Sequence, residues 1–353
     1  MPRVLMLYTG GTIGMQPSPQ GYVPCAGLAE RLSTHLALSD PYRLPAFDVL
    51  EMQPLIDSAE LMPEAWNRLV ALLESHWPRY DAFVVLHGTD TMAYSAAALS
   101  FMLGALNKPV IFTGSQIPLG EPRSDALNNV VSALQLAAHP ATPCEVSLAF
   151  HDRLLRGNRA RKVRTQGLDA FDSPNFPWLA ELGIGVSFPQ PSALLSGLPN
   201  FAPIEVDDEA VAVLPLHPGM SLRRAKMLLE DETLKGLVLH SYGVGNPPSF
   251  EGELLNALKT ATERGVALLN VTQCAQGEVV QGAYATGAEL NHVGVIPGSD
   301  ITLEAAIAKL TVLLGRGLAG GALRQALKSA MRGECSALGI QSQLTQKTNS
   351  TQQ

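Results

Sequence analysis

The chain has 353 residues, of which 46% are hydrophobic, 16% charged and 6% aromatic, with 31 glycines and 25 prolines. At roughly 100 to 200 residues per domain this is enough for two cores, and the composition excludes a disordered or fibrous chain over most of the length. Lys plus Arg (25) against Asp plus Glu (32) leaves a net charge of -7, so there is no overall basic field to neutralise a phosphate backbone, and nucleic acid is not an expected partner. Four widely spaced cysteines, Cys25, Cys144, Cys274 and Cys335, without a C-x-x-C pair, fit reduced thiols in a cytoplasmic setting better than a disulfide framework or structural zinc. The apolar run Val4 to Tyr8 is shorter than the roughly 7 to 15 residues of a signal-peptide core. Ala93 to Leu106 falls short of the ~20 residues of a membrane span, so no membrane association is expected.

In chain order, the first half alternates short apolar runs with helical patterns, the signature of a parallel sheet with helices on both faces. Strands are expected at Arg3 to Tyr8, Phe47 to Met52, Ala82 to Leu86, Val110 to Thr113 and Glu145 to Phe150. Pro63 opens a helix in which Trp66, Leu69, Val70 and Leu73 share a face, and Thr91 to Leu106 and Ser124 to Ala138 supply two more. The Pro-, Ser-, Gly- and Asn-rich stretch at 189–210 reads as a linker. Beyond it, strands at Val211 to Leu214, Gly236 to His240 and Val266 to Val271 alternate with helices near Leu222 to Glu230 and Glu251 to Arg264. Leu303, Ile307, Leu310 and Leu314 form a core-facing stripe on a late helix. The expected organisation is therefore a doubly wound α/β domain at 1–188, a linker, a smaller α/β domain at 211–335 and a polar, disordered tail at 336–353.

In open parallel sheets, ligands collect beyond the carboxyl ends of the strands. Four successive strand ends here carry Thr9-Gly10-Gly11-Thr12-Ile13-Gly14, Asp57-Ser58, His87-Gly88-Thr89-Asp90-Thr91 and Gly114-Ser115-Gln116, the makings of a pocket for a small polar ligand. The glycines allow backbone N–H groups to approach a ligand, but neither the G-x-x-x-x-G-K-[ST] nor the G-x-G-x-x-G spacing is present, so nothing supports a nucleotide. A threonine hydroxyl becomes a nucleophile given a base and donors for the oxyanion, and Thr12 sits in a turn rich in such donors. Asp90 stands where a helix N-cap is expected and reads equally as a cap or as part of a site. His87 reads as a hydrogen-bonded structural residue, and no histidine pair has metal-ligand spacing, so a metal is not expected. The segment Arg153, Arg156, Arg159, Arg161, Lys162 and Arg164 is either an anion-binding patch or an ion-paired stretch.

YTGGTIGM (Tyr8 to Met15), LHGTDTMAY (Leu86 to Tyr94), KPVIFTGSQIP (Lys108 to Pro118), GNRARK (Gly157 to Lys162), SYGVGN (Ser241 to Asn246), VTQC (Val271 to Cys274) and YATG (Tyr284 to Gly287) resemble the bacterial cytoplasmic (type I) L-asparaginases over about residues 3 to 333. The resemblance implies a larger doubly wound, flavodoxin- or Rossmann-like domain plus a smaller α/β domain. It also implies cofactor-free hydrolysis of L-asparagine to L-aspartate and ammonia, and a homodimer or homotetramer. It makes Thr12 the nucleophile that forms an acyl-enzyme and Tyr22 the lid residue that assists it, with Thr89, Asp90 and Lys162 a second triad. Gly11, Asp57, Ser58, Gly88 and Asp90 would hold the substrate's α-amino and α-carboxylate groups, and Ser115 and Gln116 would line the leaving-amide side. His240 and Arg161 depart from the arginine and small polar residue found at an activating asparagine site in some type I enzymes. Pro17, Pro19 and Pro24 around Tyr22 either stiffen the lid or simply punctuate a loop.

Two other readings share the fold. A glutaminase-asparaginase differs by one methylene of substrate, worth only about 1 to 3 kcal/mol of discrimination. The related transfer-RNA-dependent amidotransferase subunit carries an additional N-terminal domain, whereas this chain begins at its first strand, so hydrolysis of the free amino acid is expected instead. A non-catalytic amino-acid sensor would have no use for two threonines and a lysine.

Overall fold

The computed structural model describes residues 2–19, 21–37, 44–189 and 194–336. The expected tail, apart from Ser336, lies outside the described residues, as does the 190–193 part of the expected linker. The chain divides into two compact units, Met1–Val206 and Asp207–Gln353.

The first unit holds β1 (Arg3–Gly10), a hairpin of β2 (Gln16–Ser18) and β3 (Gly21–Val23), β4 (Ala46–Ile56), β5 (Ala82–Leu86), β6 (Val110–Thr113), β7 (Val146–Phe150), β8 (Arg153–Arg156), β9 (Arg161–Lys162), β10 (Phe171–Asp172), β11 (Ala180–Leu182) and β12 (Val186–Ser187), with helices α1 (Leu28–Ala37), α2 (Glu64–His76), α3 (Met92–Leu103) and α4 (Ala126–Ala138). Its main sheet has the order β12-β11-β8-β7-β6-β5-β1-β4. The strands from β4 to β7 are parallel, and the three beyond β7 are antiparallel. The parallel core follows the order 2-1-3-4-5, which reverses between β1 and β5 and creates a ligand crevice there. Strands covered on both faces read as unbroken apolar runs, and every residue of β5, β6 and β7 is buried. One face packs on Leu28, Leu32 and Leu36 of α1 and on Val130, Leu134 and Leu136 of α4. Trp66 on α2 donates its indole N–H to Ser95 on α3 at 3.0 Å.

The most apolar stretch of the chain proves to be α3, buried almost all round. Its 12 residues span about 18 Å, and Gly104, at φ 66°, ends it before the expected Leu106. Among the described residues, no helix is long and apolar enough to cross a membrane. Sequence reading missed α1, the β2–β3 hairpin and the antiparallel extension, and it ended β4 four residues early. Strand β8 (RLLR) hid inside the basic segment, and the turn leading to it uses two non-glycine residues with positive φ, His151 and Asp152. That segment is no anion patch. Arg156 is buried against Glu145 at 2.9 Å, Arg153 stacks on Trp178, and both Arg156 and Arg159 lie over Phe176.

Part of the stretch read as a linker is bound to the first unit: Asn67 and Ile204 exchange two hydrogen bonds, and the N–H groups of Gly197 and Asn200 donate to Leu106 and Leu103. The second unit is a four-stranded parallel sheet, β13 (Val211–Pro215), β14 (Gly236–Ser241), β15 (Ala267–Thr272) and β16 (Ile296–Pro297), in that order. Its helices are α5 (Leu222–Leu229), α6 (Glu253–Glu263), α7 (Ala285–His292), α8 (Leu303–Gly315) and α9 (Gly320–Lys328). The expected strands and helices of this half fall on β13, β14, β15, α5, α6 and α8, while α7, α9 and β16 are additional. His240 lies on β14, and Arg161 lies on β9 opposite Asp172.

Candidate active site

The four motif-bearing strands end level with one another. Tyr8 pairs with Leu86 and Leu86 with Thr113, while Gly10 lies opposite Ile56. Two further bonds extend this alignment past the strands: Thr9 Oγ1 donates to the Leu86 carbonyl at 3.0 Å, and the His87 N–H donates to the Thr113 carbonyl at 2.9 Å. The turn Thr12–Gly14 then follows directly on Gly11.

Two glycines set the width of the crevice. Gly11 has φ 86°, and a Cβ there would fall on the backbone of Gly88; a Cβ on Gly88 would strike the Ser58 side chain. The first and third strand ends therefore meet through bare backbone, with the Ser58 side chain of the second strand end set against Gly88.

Thr89 is buried, and its hydroxyl lies 2.8 Å from the Lys162 Nζ. The same ammonium pairs with Asp90 Oδ1 at 2.7 Å. Lys162 reaches this position from outside the main sheet, on the two-residue strand β9, which is held in register by Phe171 and Asp172 of β10. Thr91, not Asp90, is the N-cap residue of α3, without a side-chain cap, and the Asp90 carboxylate accepts from Lys162. With the Asp90 side chain 62% exposed, the pair is a positioning contact more than a source of stability.

The remaining expected residues are placed as follows. Asp57 accepts from the Ala59 N–H at 3.1 Å and caps the turn Ser58–Glu60; Ser58 is buried. Ser115 departs from expectation: its side chain is fully buried and donates to the Ile117 carbonyl at 2.7 Å, so it shapes the loop and does not line a cleft. Gln116 bridges Thr89 to the carbonyls of Thr165 and Gly167. Tyr22 stands on the β2–β3 hairpin, half exposed, and its phenol is hydrogen bonded to Glu121, whose carboxylate raises the Tyr22 pKa.

One supporting residue carried no signal of its own in the sequence. Asp125 is buried at the start of α4, and its carboxylate accepts from the backbone N–H groups of Gln116 and Ile117 and from Asn129. His87 is structural, as expected. The Gly88 carbonyl only accepts, so Nδ1 carries the proton of the neutral ring and Nε2 accepts from the Ser95 hydroxyl, which itself receives the Trp66 indole N–H. Burial holds this imidazole neutral, with a pKa down to about 4.

A buried threonine hydroxyl in contact with a lysine–aspartate pair, beside a glycine-lined turn that bears a second threonine, is the candidate site of this doubly wound α/β sheet. The family model described as "Asparaginase, N-terminal" matches residues 3–193, and "Glutaminase/Asparaginase C-terminal domain" matches residues 210–327. L-asparaginase 1 of Escherichia coli strain K12 is 44% identical over 335 residues, covering 94% of this chain and 97% of that protein. The structure of L-asparaginase I from Vibrio cholerae superposes with a TM-score of 0.86 at 40% identity, covering 95% of this chain and 99% of the other. The thermostable L-asparaginase from Thermococcus kodakarensis gives a TM-score of 0.82 at 31% identity, covering 95% and 99%. The chain belongs to the asparaginase family.

Proposed function

We propose that this protein is an L-asparaginase that hydrolyses the side-chain amide of L-asparagine to L-aspartate and ammonia, with Thr12 as the nucleophile. The observation that carries the reading is the Thr89–Lys162–Asp90 constellation, 2.8 and 2.7 Å apart, set across the Gly11–Gly88 contact from Thr12. Thr12 Oγ attacks the amide carbon, the carbonyl oxygen takes negative charge beside the N–H groups of the glycine-rich turn, and collapse expels ammonia and leaves an aspartyl ester on Thr12. Tyr22 closes over the site and relays the Thr12 proton, which requires it to leave Glu121. Lys162 and Asp90 polarise Thr89 and the water that cleaves the ester. Asp57 and Asp90 suit the substrate's ammonium, and the Ser58 hydroxyl with the Gly11 and Gly88 backbone suits its carboxylate.

Ammonia release over a wide range of L-asparagine, with L-glutamine in parallel, tests this reading. Asparagine-selective turnover is expected. Equal use of glutamine would make the protein a glutaminase-asparaginase, and no release from either amide would overturn the assignment. The shape of the asparagine curve is expected to be hyperbolic, since His240 and Arg161 replace the residues of the activating site. The resemblance further suggests a cytoplasmic homodimer or homotetramer, which light scattering of the full chain tests.

A further inference from the structure

We propose that Gln116 is a positioning residue that fixes the hydroxyl of Thr89, and that it does not serve as a lining group for the leaving amide. The inference rests on the reading of Thr89, Asp90 and Lys162 as a functional triad.

The Gln116 side chain has two N–H donors at Nε2 and an acceptor at Oε1. Its Nε2 lies 3.1 Å from the Thr165 carbonyl and 3.2 Å from the Gly167 carbonyl, and carbonyl oxygens only accept, so both N–H groups are consumed there. That fixes the amide orientation and leaves Oε1, 3.2 Å from Thr89 Oγ1, as an acceptor. On the other side, the Lys162 ammonium donates to the same Thr89 oxygen at 2.8 Å. A hydroxyl that accepts from Lys162 must send its single proton elsewhere, and Gln116 Oε1 is placed to take it. The Thr89 rotamer and the direction of its proton are thus set by two opposed partners.

Gln116 is itself held from behind. Both oxygens of the buried Asp125 carboxylate accept from its N–H, at 3.1 and 3.0 Å, and Asp125 also accepts from Ile117 and Asn129 at 3.0 Å each. The strap therefore runs from the start of α4, through the loop after β6, to Thr89 and on to the loop that follows Lys162. It joins three segments that must agree in position if Thr89 and Lys162 are to stay in hydrogen-bond range, and a misplacement of about 1 Å can cost on the order of a hundredfold in rate.

The test compares Gln116→Met and Gln116→Glu with the parent, as full-length protein, by steady-state kinetics on L-asparagine and by thermal unfolding. Met keeps the length and loses both functions. Glu keeps an acceptor for Thr89 but sets a carboxylate against two carbonyl oxygens, so a role in filling space alone would tolerate it. Both variants are expected to lose about tenfold to a hundredfold in kcat, with KM within about threefold and a cooperative melting transition retained. Unchanged kcat, or a raised KM with kcat intact, would overturn the proposal, the second result by returning Gln116 to the substrate's amide. Thr89→Val is measured alongside. If it turns over at the parent rate, the triad reading fails first, whereas an inactive Thr89→Val beside unaffected Gln116 variants sinks the strap alone.

Discussion

The protein contains two open parallel sheets, and polar residues crowd the carboxyl ends of both, but they are used in opposite ways. In the second unit they satisfy one another. Ser241 donates to Asn270, Asn270 donates to the Gly245 carbonyl and to Gln281, Thr272 donates to the Gly243 carbonyl, and Gln273 donates to the carbonyls of Leu216 and His240. In the first unit the bonds tie strand ends together and anchor the flanking loops, yet they leave Thr12 on a turn of its own and Thr89 held by a lysine and an amide. Polar residues at the strand ends thus hold loops in the second sheet, whereas in the first they also hold a buried threonine hydroxyl against a lysine and an amide. The motifs SYGVGN and VTQC of the second sheet hydrogen bond within its loops, whereas TGGT and HGTDT of the first meet at the Gly11–Gly88 contact.

Substitutions sharpen the contrast. Thr12→Ala removes only a hydroxyl and a methyl from a turn, so it should leave folding intact and lower turnover on the order of 10^4-fold or more, read by ammonia release. Thr89→Val and Lys162→Met should each cost about 10^2- to 10^4-fold in kcat, and a near-parental rate in Lys162→Met would reduce the ion pair with Asp90 to a surface contact. Gly11→Ala forces a Cβ onto Gly88 at φ 86°, so both activity and stability should fall, the latter by about 1 to 3 kcal/mol in chemical denaturation. In the second sheet, Ser241→Ala should cost a similar 1 to 3 kcal/mol by leaving Asn270 short of a partner, while kcat of the folded protein stays the same. A marked loss of kcat there would erase the distinction between the two sheets.

The smallest effect concerns acid. His87 is held neutral, its pKa lowered from 6.5 to about 4 by burial, so protonation favours the unfolded chain. Its contribution to stability is fully present above about 6.5 and is lost as pH falls from there towards 4. The dependence of unfolding free energy on pH across that window should flatten in His87→Gln, and an unchanged slope would assign the acid sensitivity to other groups.

The parallel core was legible because strands buried on both faces are unbroken apolar runs, and the site was legible because glycine and threonine cluster where those runs stop. What escaped had physical reasons. Strand β8 is written in arginines that are neutralised by Glu145 and stacked on Trp178 and Phe176, none of which is close in sequence. Asp125 looks like any acidic residue before a helix, and its role depends on two amide N–H groups eight and nine residues away. The resemblance sets Ser115 on the leaving-amide side, but a two-residue turn sends its hydroxyl to the Ile117 carbonyl. The choice between cap and site at Asp90 needed Lys162, 72 residues later and on a strand of two residues.

The central claim is that Thr12 carries the reaction covalently, and the most direct measurement is the intact mass of acid-quenched parent and Lys162→Met protein after mixing with L-asparagine, followed by peptide mapping. The account predicts a mass gain of one aspartyl group on the peptide containing Thr12, more persistent in Lys162→Met, where the ester-cleaving water is no longer activated, and absent from Thr12→Ala. An adduct on another residue, or an adduct and turnover that survive in a correctly folded Thr12→Ala protein, would contradict it.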